Sequence, residues 1–267
     1  MRVNDFNPVA GAYSRTVAPY RFSQFLTLVH ELALAGSERV LDVGSGPGEL
    51  SLQLASRLKS GGFLLGIDLS TNMVRLARKN ASNFGAENVA FKKGDGLKLE
   101  FEDESFDVVV SSNAFPWIPD RPKFLAEVFR VLKPGGRFGL VTLSSKCYRE
   151  FSDVFAEIGR RNNGLFPEGK PFELMGAKLY SLGELRRTVG KAGFDVVRQF
   201  ELTTRQPITA PDYYRRVNAI VHENYLDYIK SASRRQLVRN LLLESLAGRN
   251  GSLKVTESSV FVIGRKD

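Results

Sequence analysis

Between residues 40 and 48 the chain reads Val40-Leu41-Asp42-Val43-Gly44-Ser45-Gly46-Pro47-Gly48, an apolar run holding one carboxylate and then three glycines at alternate positions. Glycine is needed where ligand atoms approach the main chain more closely than a Cβ permits. A glycine-rich turn is a weak signal alone, because dinucleotide-binding proteins also use one. Their G-x-G-x-x-G pattern would place glycine at position 49, where this chain has Glu49. A carboxylate there repels a pyrophosphate and favours a phosphate-free ligand carrying positive charge. Asp68 closes a second apolar run, GIDLS, where its carboxylate can accept hydrogen bonds from both hydroxyls of a ribose. The alternative is that Asp68, followed by Leu-Ser, merely starts the next helix.

Such a site must be held by strands that end together. The apolar runs VLDV (40–43), FLLGI (63–67), FDVVV (106–110) and FGLVTL (138–143) have the continuous character of strands buried on both faces. Amphipathic segments separate them, the pattern of a parallel sheet covered by helices on both sides. Leu50, Leu54 and Leu58 fall one turn apart, with Gly61-Gly62 placed as a helix C-cap. Met73, Leu76, Ala77 and Phe84 line the face of a second helix that Ser70 can cap, and Phe124, Val128 and Val131 line a third. Lys133-Pro134-Gly135-Gly136 suits a type II turn into the next strand. After residue 144 the rhythm changes. Residues 144–185 read as helix plus loop, and 202–257 as mostly helical, with Tyr214, Val217, Val221 and Tyr225 at helical spacing; further strands are expected near 194–200 and 258–264. The expected fold is α/β, a Rossmann-like, mostly parallel seven-stranded sheet with an antiparallel last strand. An N-terminal helical cap (1–37) precedes the main domain (38–267), whose insertions at 144–185 and 202–257 form a helical lid.

A ligand that combines a ribose with positive charge describes S-adenosylmethionine (SAM), which has a sulfonium and an ammonium and no phosphate. The ordered segments VLDVGSGPG, IDLSTNMV, KKGDG (92–96), FDVVVSSNAFPWIPD (106–120) and VLKPGGRFGLV (131–141) together resemble the five motifs of the class I SAM-dependent methyltransferases of the type 11 group, which includes the ubiquinone and menaquinone biosynthesis methyltransferases. The resemblance covers residues 38–143 firmly and the later strands more loosely. It implies that Gly44, Ser45 and Gly46 lie against the methionine part of SAM, with Asp42 supporting their turn. It further implies that Asp68 holds the ribose, that Leu69 and Met73 pack on the adenine, and that Asp95, within Gly94-Asp95-Gly96, accepts from the adenine amino group. Asn113 would offer its main chain near the methionine ammonium. Tyr13 stands where relatives carry an aromatic that closes over the cofactor, and an ordinary packing tyrosine is the alternative. The product would be S-adenosylhomocysteine (SAH).

Methyl transfer is an in-line displacement at carbon, so holding nucleophile, methyl and sulfur collinear at about 3 Å supplies most of the acceleration. No catalytic residue is assigned. A base is needed only where the acceptor must lose a proton, and His222 is the candidate, with a structural histidine as the competing reading. His30, among Leu28, Val29 and Leu32, reads as structural. Phe115 and Trp117, after the fourth strand, are the candidate acceptor-pocket residues, with core packing as the alternative for Trp117. SNAFPW differs from the Asn-Pro-Pro-aromatic motif of base-methylating enzymes, because two residues separate Asn113 from Pro116.

Composition bounds the partners. The 267-residue chain is ordinary for a globular protein at 43% hydrophobic and 25% charged residues. It has no signal-peptide pattern and no run of roughly 18 apolar residues, so a cytoplasmic protein without a transmembrane segment is expected. One cysteine, Cys147, excludes an intramolecular disulfide, and two histidines give no basis for a metal centre. The net charge of +9 is compatible with an anionic acceptor. The C-terminal basic residues, among them Arg198, Arg205, Arg215, Arg216 and Arg239, are scattered, which argues against a nucleic-acid footprint. A small-molecule acceptor is therefore the leading expectation. The alternatives are a carrier-protein ester, suggested by the helical insert before the last strand, an RNA or protein acceptor, and a non-catalytic SAM-binding protein.

Overall fold

The computed structural model describes residues 6–7, 10–147, 149–162, 165, 178–221, 229, 231–247 and 253–267. Helices α1 (Ala10–Thr16) and α2 (Ala18–Leu32) open the chain. Then follow β1 (Arg39–Val43), α3 (Glu49–Ala55), β2 (Phe63–Asp68), α4 (Thr71–Phe84), β3 (Val89–Lys93) and β4 (Phe106–Ser112). A 3-10 turn (Phe115–Trp117) leads to α5 (Arg121–Val131), β5 (Leu132–Leu143), α6 (Arg149–Arg161) and α7 (Leu182–Lys191). The chain ends in β6 (Asp195–Ile208), α8 (Ala210–Val221), α9 (Ala232–Ala247) and β7 (Leu253–Arg265). The seven strands form one sheet in the order β3-β2-β1-β4-β5-β7-β6. β1 to β5 pair in parallel, and β7 runs antiparallel to both its neighbours. The α/β class, the seven strands and the antiparallel last strand match expectation.

One face of the sheet is closed by α5 and α7, where Phe124, Val128, Val131, Leu185 and Val189 are fully buried. On the other face α2 and α3 contribute Leu28, Leu32, Leu50 and Leu54. α2 lies so close that a Cβ on Gly139 would come within 2.9 Å of a Leu32 methyl. α4 packs beside them through Val74, Ala77 and Ala81 against Phe91. A further apolar cluster unites Val17 and Leu143 with Phe151, Phe155 and Ile158 of α6, Tyr213 and Val217 of α8, and Val238 and Leu242 of α9.

Several local expectations are corrected. α3 stops at Ala55, and Gly61 (φ +92°) with Gly62 forms the turn into β2 instead of a helix cap. On α4 the buried face is Met73, Val74, Ala77 and Ala81, while Phe84 is 59% exposed. The reason is close approach: a Cβ on Gly48 would stand 3.1 Å from that of Ala77, so small side chains must face the glycine turn. β3 has no uninterrupted apolar run, because VAFKK lies at the sheet edge and is paired on one side. β6 and β7 extend beyond the last β5 pair, Leu143↔Ser259, as a two-stranded ribbon joining Thr203–Ile208 to Leu253–Ser258. Both ends of the expected helical stretch 202–257 are therefore strand, as the β-branched Thr203, Thr204, Val255 and Thr256 favour. On α8, Tyr213 and not Tyr214 is buried. His30 is 87% exposed with Glu31 3.9 Å away, so it has no core role. Other expectations hold locally. Ser70 accepts from the Met73 amide at 3.2 Å, and Gly135 takes the positive φ of the type II turn. Among the described residues no helix is long and apolar enough to cross a membrane.

Candidate active site

β1, β2, β3 and β4 end at Val43, Asp68, Lys93 and Ser112, all on the same edge of the sheet. The strand order runs outward through β2 and β3 on one side of β1, and through β4 and β5 on the other. The connections leaving β1 and β4 thus part to opposite directions, which opens a crevice at this edge. The cleft encloses about 990 Å³, part of it open solvent. It is lined by the loops that leave the four strands: Val43, Gly44 and Gly46; Asp68, Leu69 and Met73; Gly94 to Leu97; and Ser112 to Ala114. Trp117, Ile118, Pro119 and the N-terminal Phe6 and Tyr13 complete the wall.

The glycine turn and Asp68 form one hydrogen-bonded unit. The amides of Gly44 and Ser45 both donate to the Ile67 carbonyl, at 2.8 and 2.9 Å. The Gly46 amide donates to Asp68 Oδ2 at 2.9 Å, and the Ser70 amide to Oδ1 at 2.8 Å. Asp68 thereby ties the glycine turn to Ser70, the residue that caps α4, while each carboxylate oxygen keeps a lone pair for a ligand. Gly44 has φ +79°, and a Cβ on it would lie 2.3 Å from Ala114 Cβ. Gly44→Ala is therefore expected to cost about 1–3 kcal/mol of stability through backbone strain and that clash. Urea unfolding measures the loss, and a midpoint equal to wild type would show that the turn relaxes freely.

Three carboxylates surround the turn. Asp42 is 1% exposed, and its Oδ2 accepts from Ser51 Oγ at 2.6 Å. Burial pushes its pKa up to about 7 against the opposing Ser51 hydrogen bond, with the Asp68 charge adding to the rise. Burial also raises Asp68, against the Ser70 and Gly46 amides, and raises Glu49, whose Oε1 accepts from Ser14 Oγ at 3.4 Å. Neither Asp42 nor Asp68 makes an ion pair among the described residues. Asp42 Oδ1, Ser45 Oγ and Asn113 Oδ1 are buried polar atoms with no hydrogen-bond partner among the described residues. This environment suits a cation that also offers hydroxyl and amino donors, and it opposes a pyrophosphate. Asn113 holds a left-handed φ of +56°, its amide bonded to the Val141 carbonyl at 2.8 Å and its Nδ2 3.4 Å from Gln24 Oε1.

Of the residues singled out from sequence, Tyr13, Gly44, Gly46, Asp68, Leu69, Met73, Gly94, Asp95, Gly96, Asn113 and Trp117 line the cleft together. Asp42, on β1, and Ser45, within the turn, are buried and do not line the cleft. Phe115 is a correction: it is fully buried in the sheet core, its ring 5.7 Å from Phe124 and 5.4 Å from Tyr180, so it is not a pocket residue. Its position in the 3-10 turn sends its side chain under the sheet edge while Trp117 faces the cleft. Trp117 also packs against the cluster built on α6, α8 and α9. His222 lies outside the described residues. Phe6, Leu97, Ile118 and Pro119 were not singled out, because an isolated apolar residue in a loop gives no periodic signal. Tyr13 is desolvated, which pushes its hydroxyl up to about 12 despite nearby Arg21. Cys147 is buried, and its thiol is pushed up as well. Of the scattered C-terminal cations, Arg198, Arg215 and Arg216 pair with Glu31, Asp212 and Glu257.

Comparison with known proteins agrees with this geometry. The family described as Methyltransferase domain matches residues 34–170, just over half of the chain. A nocamycin O-methyltransferase of Saccharothrix syringae is 30% identical over 76% of this chain and 76% of its own length. An arsenite methyltransferase of Aquipseudomonas alcaligenes is 33% identical over 67% of the chain, and the match spans only 50% of that relative. A ubiquinone/menaquinone biosynthesis C-methyltransferase of Pectobacterium carotovorum is 26% identical over 62% of the chain and 70% of its own length. In fold, the chain is similar to the YcgJ protein of Bacillus subtilis, with a TM-score of 0.62, 21% identity, and coverage of 91% of this chain and 98% of that one. The Methyltransferase domain match over residues 34–170 and the nocamycin O-methyltransferase relative, together with this strand order, place the chain in the class I SAM-dependent methyltransferase family.

Proposed function

We propose that this protein transfers a methyl group from SAM to a small-molecule acceptor that enters the cleft beside Trp117. The observation that carries the reading is the cluster of buried Asp42 and half-buried Glu49 and Asp68 around a glycine turn, without a cation to balance Asp42 or Asp68 among the described residues. Bound SAM supplies an electrophilic methyl on a sulfonium with a neutral leaving group. Asp68 accepts from the ribose hydroxyls, and the Gly44–Gly46 turn lets the methionine part reach the main chain. Leu69, 47% exposed at the lip, and Met73 offer apolar surface to the adenine, with Asp95 beside its amino group. The main chain at Asn113, which lines the cleft, would serve the ammonium. Tyr13 keeps its proton on Oη across the working pH range, so it serves as donor and wall, not as a base. Phe6, Trp117, Ile118 and Pro119 exclude water from the end of the cleft where the acceptor meets the methyl. Positioning and desolvation are thus what the chain contributes to rate. The relatives named for arsenite, nocamycin and quinones support a small acceptor.

Isothermal titration with SAM, followed by labelled methyl transfer to a panel of small molecules, carrier protein and RNA, tests the reading. Binding without any transfer would reject the enzyme assignment, and transfer only to RNA or protein would reject the small acceptor.

The proposal carries a pH signature. Free Asp42 loses its proton near pH 4 when unfolded and near 7 when folded, so its contribution to stability is full below about pH 4 and is lost as pH rises towards 7. Cation binding follows the opposite sign, because only ionised Asp42 attracts it. SAM affinity is therefore expected to rise up to about tenfold from pH 6 to 8 in wild type, relative to Asp42→Asn measured alongside. Parallel curves for the two proteins would remove Asp42 from this role.

A further inference from the structure

We propose that Phe6 and Asn7 form a strap across the mouth of the cleft, with Asn7 the positioning residue that holds it shut and so sets how long cofactor and product stay bound. The inference rests on the proposed function and adds to it the control of ligand exchange. The two neighbours grip opposite lips. On the β2 side, Asn7 Oδ1 accepts from Ser70 Oγ at 2.8 Å and from the Asn72 amide at 3.0 Å, and the Asn7 carbonyl accepts from Asn72 Nδ2 at 2.9 Å. On the β4 side, the Phe6 ring meets Trp117 edge-on with centroids 5.6 Å apart. It also meets Tyr13 at 6.1 Å, again edge-on. Both rings line the cleft together with Phe6.

Ser70 links the strap to the ligand site. Its hydroxyl donates to Asn7, while its amide donates to Asp68 Oδ1 at 2.8 Å. A group bound on Asp68 therefore sits two residues from the anchor, and the strap's aromatic end forms the roof over the Trp117 side. A ligand seated beneath residues bridging both lips leaves only when one grip is released. Both side-chain bonds to this lip are accepted by Asn7 Oδ1, so aspartate at position 7 offers the same acceptor and adds a charge favoured at the N-terminus of the 14-residue α4.

Trp117 is the only tryptophan of the chain and touches the strap, so its fluorescence reads strap and ligand directly. SAH is the probe, with release followed by stopped-flow displacement from wild type, Asn7→Ala and Asn7→Asp. Asn7→Ala is expected to speed release about tenfold, as the loss of two hydrogen bonds from the closed form predicts. Asn7→Asp should retain the wild-type rate. Without ligand, acrylamide should quench Trp117 more strongly in Asn7→Ala and in Phe6→Ala than in wild type. Wild-type release from Asn7→Ala, or unchanged quenching in both variants, would overturn the strap. Failure of wild type to bind SAH would instead overturn the proposed function, and the ligand-free quenching separates the two failures.

Discussion

Asp68→Ala is expected to weaken SAM binding by about a hundredfold while the protein still folds. Two charge-assisted hydrogen bonds to a ribose contribute about 1.5–3 kcal/mol each, and part is regained by water in the vacated space. A net loss of roughly 3 kcal/mol corresponds to that factor. The fold survives because the Gly46 amide, which loses its acceptor, lines the open cleft where water can serve it, and α4 keeps its Ser70 cap. Asp68→Asn should fall between, since its carbonyl oxygen keeps one of these bonds. The variant also has a second readout. Removing the Asp68 charge takes away one cause of the raised Asp42 pKa, so the pH at which binding strengthens should move down. Titration calorimetry at several pH values reads both effects, and unchanged affinity in Asp68→Ala would reject the ribose assignment.

Arg216→Ala should produce the largest loss of stability. Arg216 on α8 and Glu257 on β7 form an ion pair with side chains only 3% and 7% exposed. Removing the arginine leaves a buried carboxylate without its counter-charge, at a cost of about 3–5 kcal/mol. For a domain of this size that lowers the melting temperature by roughly 10 °C. The double variant Arg216→Met with Glu257→Gln should recover much of the loss, because the buried charge has gone. Thermal unfolding of the three proteins decides the matter; equal losses in the single and double variants would show that packing, not charge, dominates. The pair matters to function because it fastens α8 to the β6–β7 ribbon, and that cluster is the surface against which Trp117 and Tyr13 pack.

The cleft was legible in the sequence wherever a ligand constrains the backbone or a carboxylate closes a buried strand. Gly44 and Gly46 show their purpose because glycine takes a positive φ most readily and, at Gly44, a Cβ would also strike Ala114, and Asp68 does because an acid at the end of an apolar run needs a partner. Phe115 was misread for a physical reason. In Phe-Pro-Trp two large rings stand two residues apart, and only the 3-10 turn determines which faces the core and which the cleft. Phe6 and Asn7 were invisible because their partners, Trp117, Ser70 and Asn72, are remote in sequence. The buried face of α4 was read correctly at Met73 and Ala77 and wrongly at Phe84, since hydrophobicity points to Phe84 whereas close contact with Gly48 selects a small residue at Ala77 and the buried face continues through Ala81.

Taken alone, the amino-acid order determined the parallel sheet, the glycine turn, the acid that ends β2 and, with the motifs they belong to, the family. These depend on local rules: uninterrupted apolar runs, the freedom of glycine, and the mismatch between Glu49 and a pyrophosphate. Tertiary structure decided which aromatic faces the cleft, how far β6 and β7 extend past β5, and that an N-terminal residue pair bridges the two lips. Those outcomes depend on contacts between segments separated by tens of residues, which carry no periodic trace in the chain until folding brings them together.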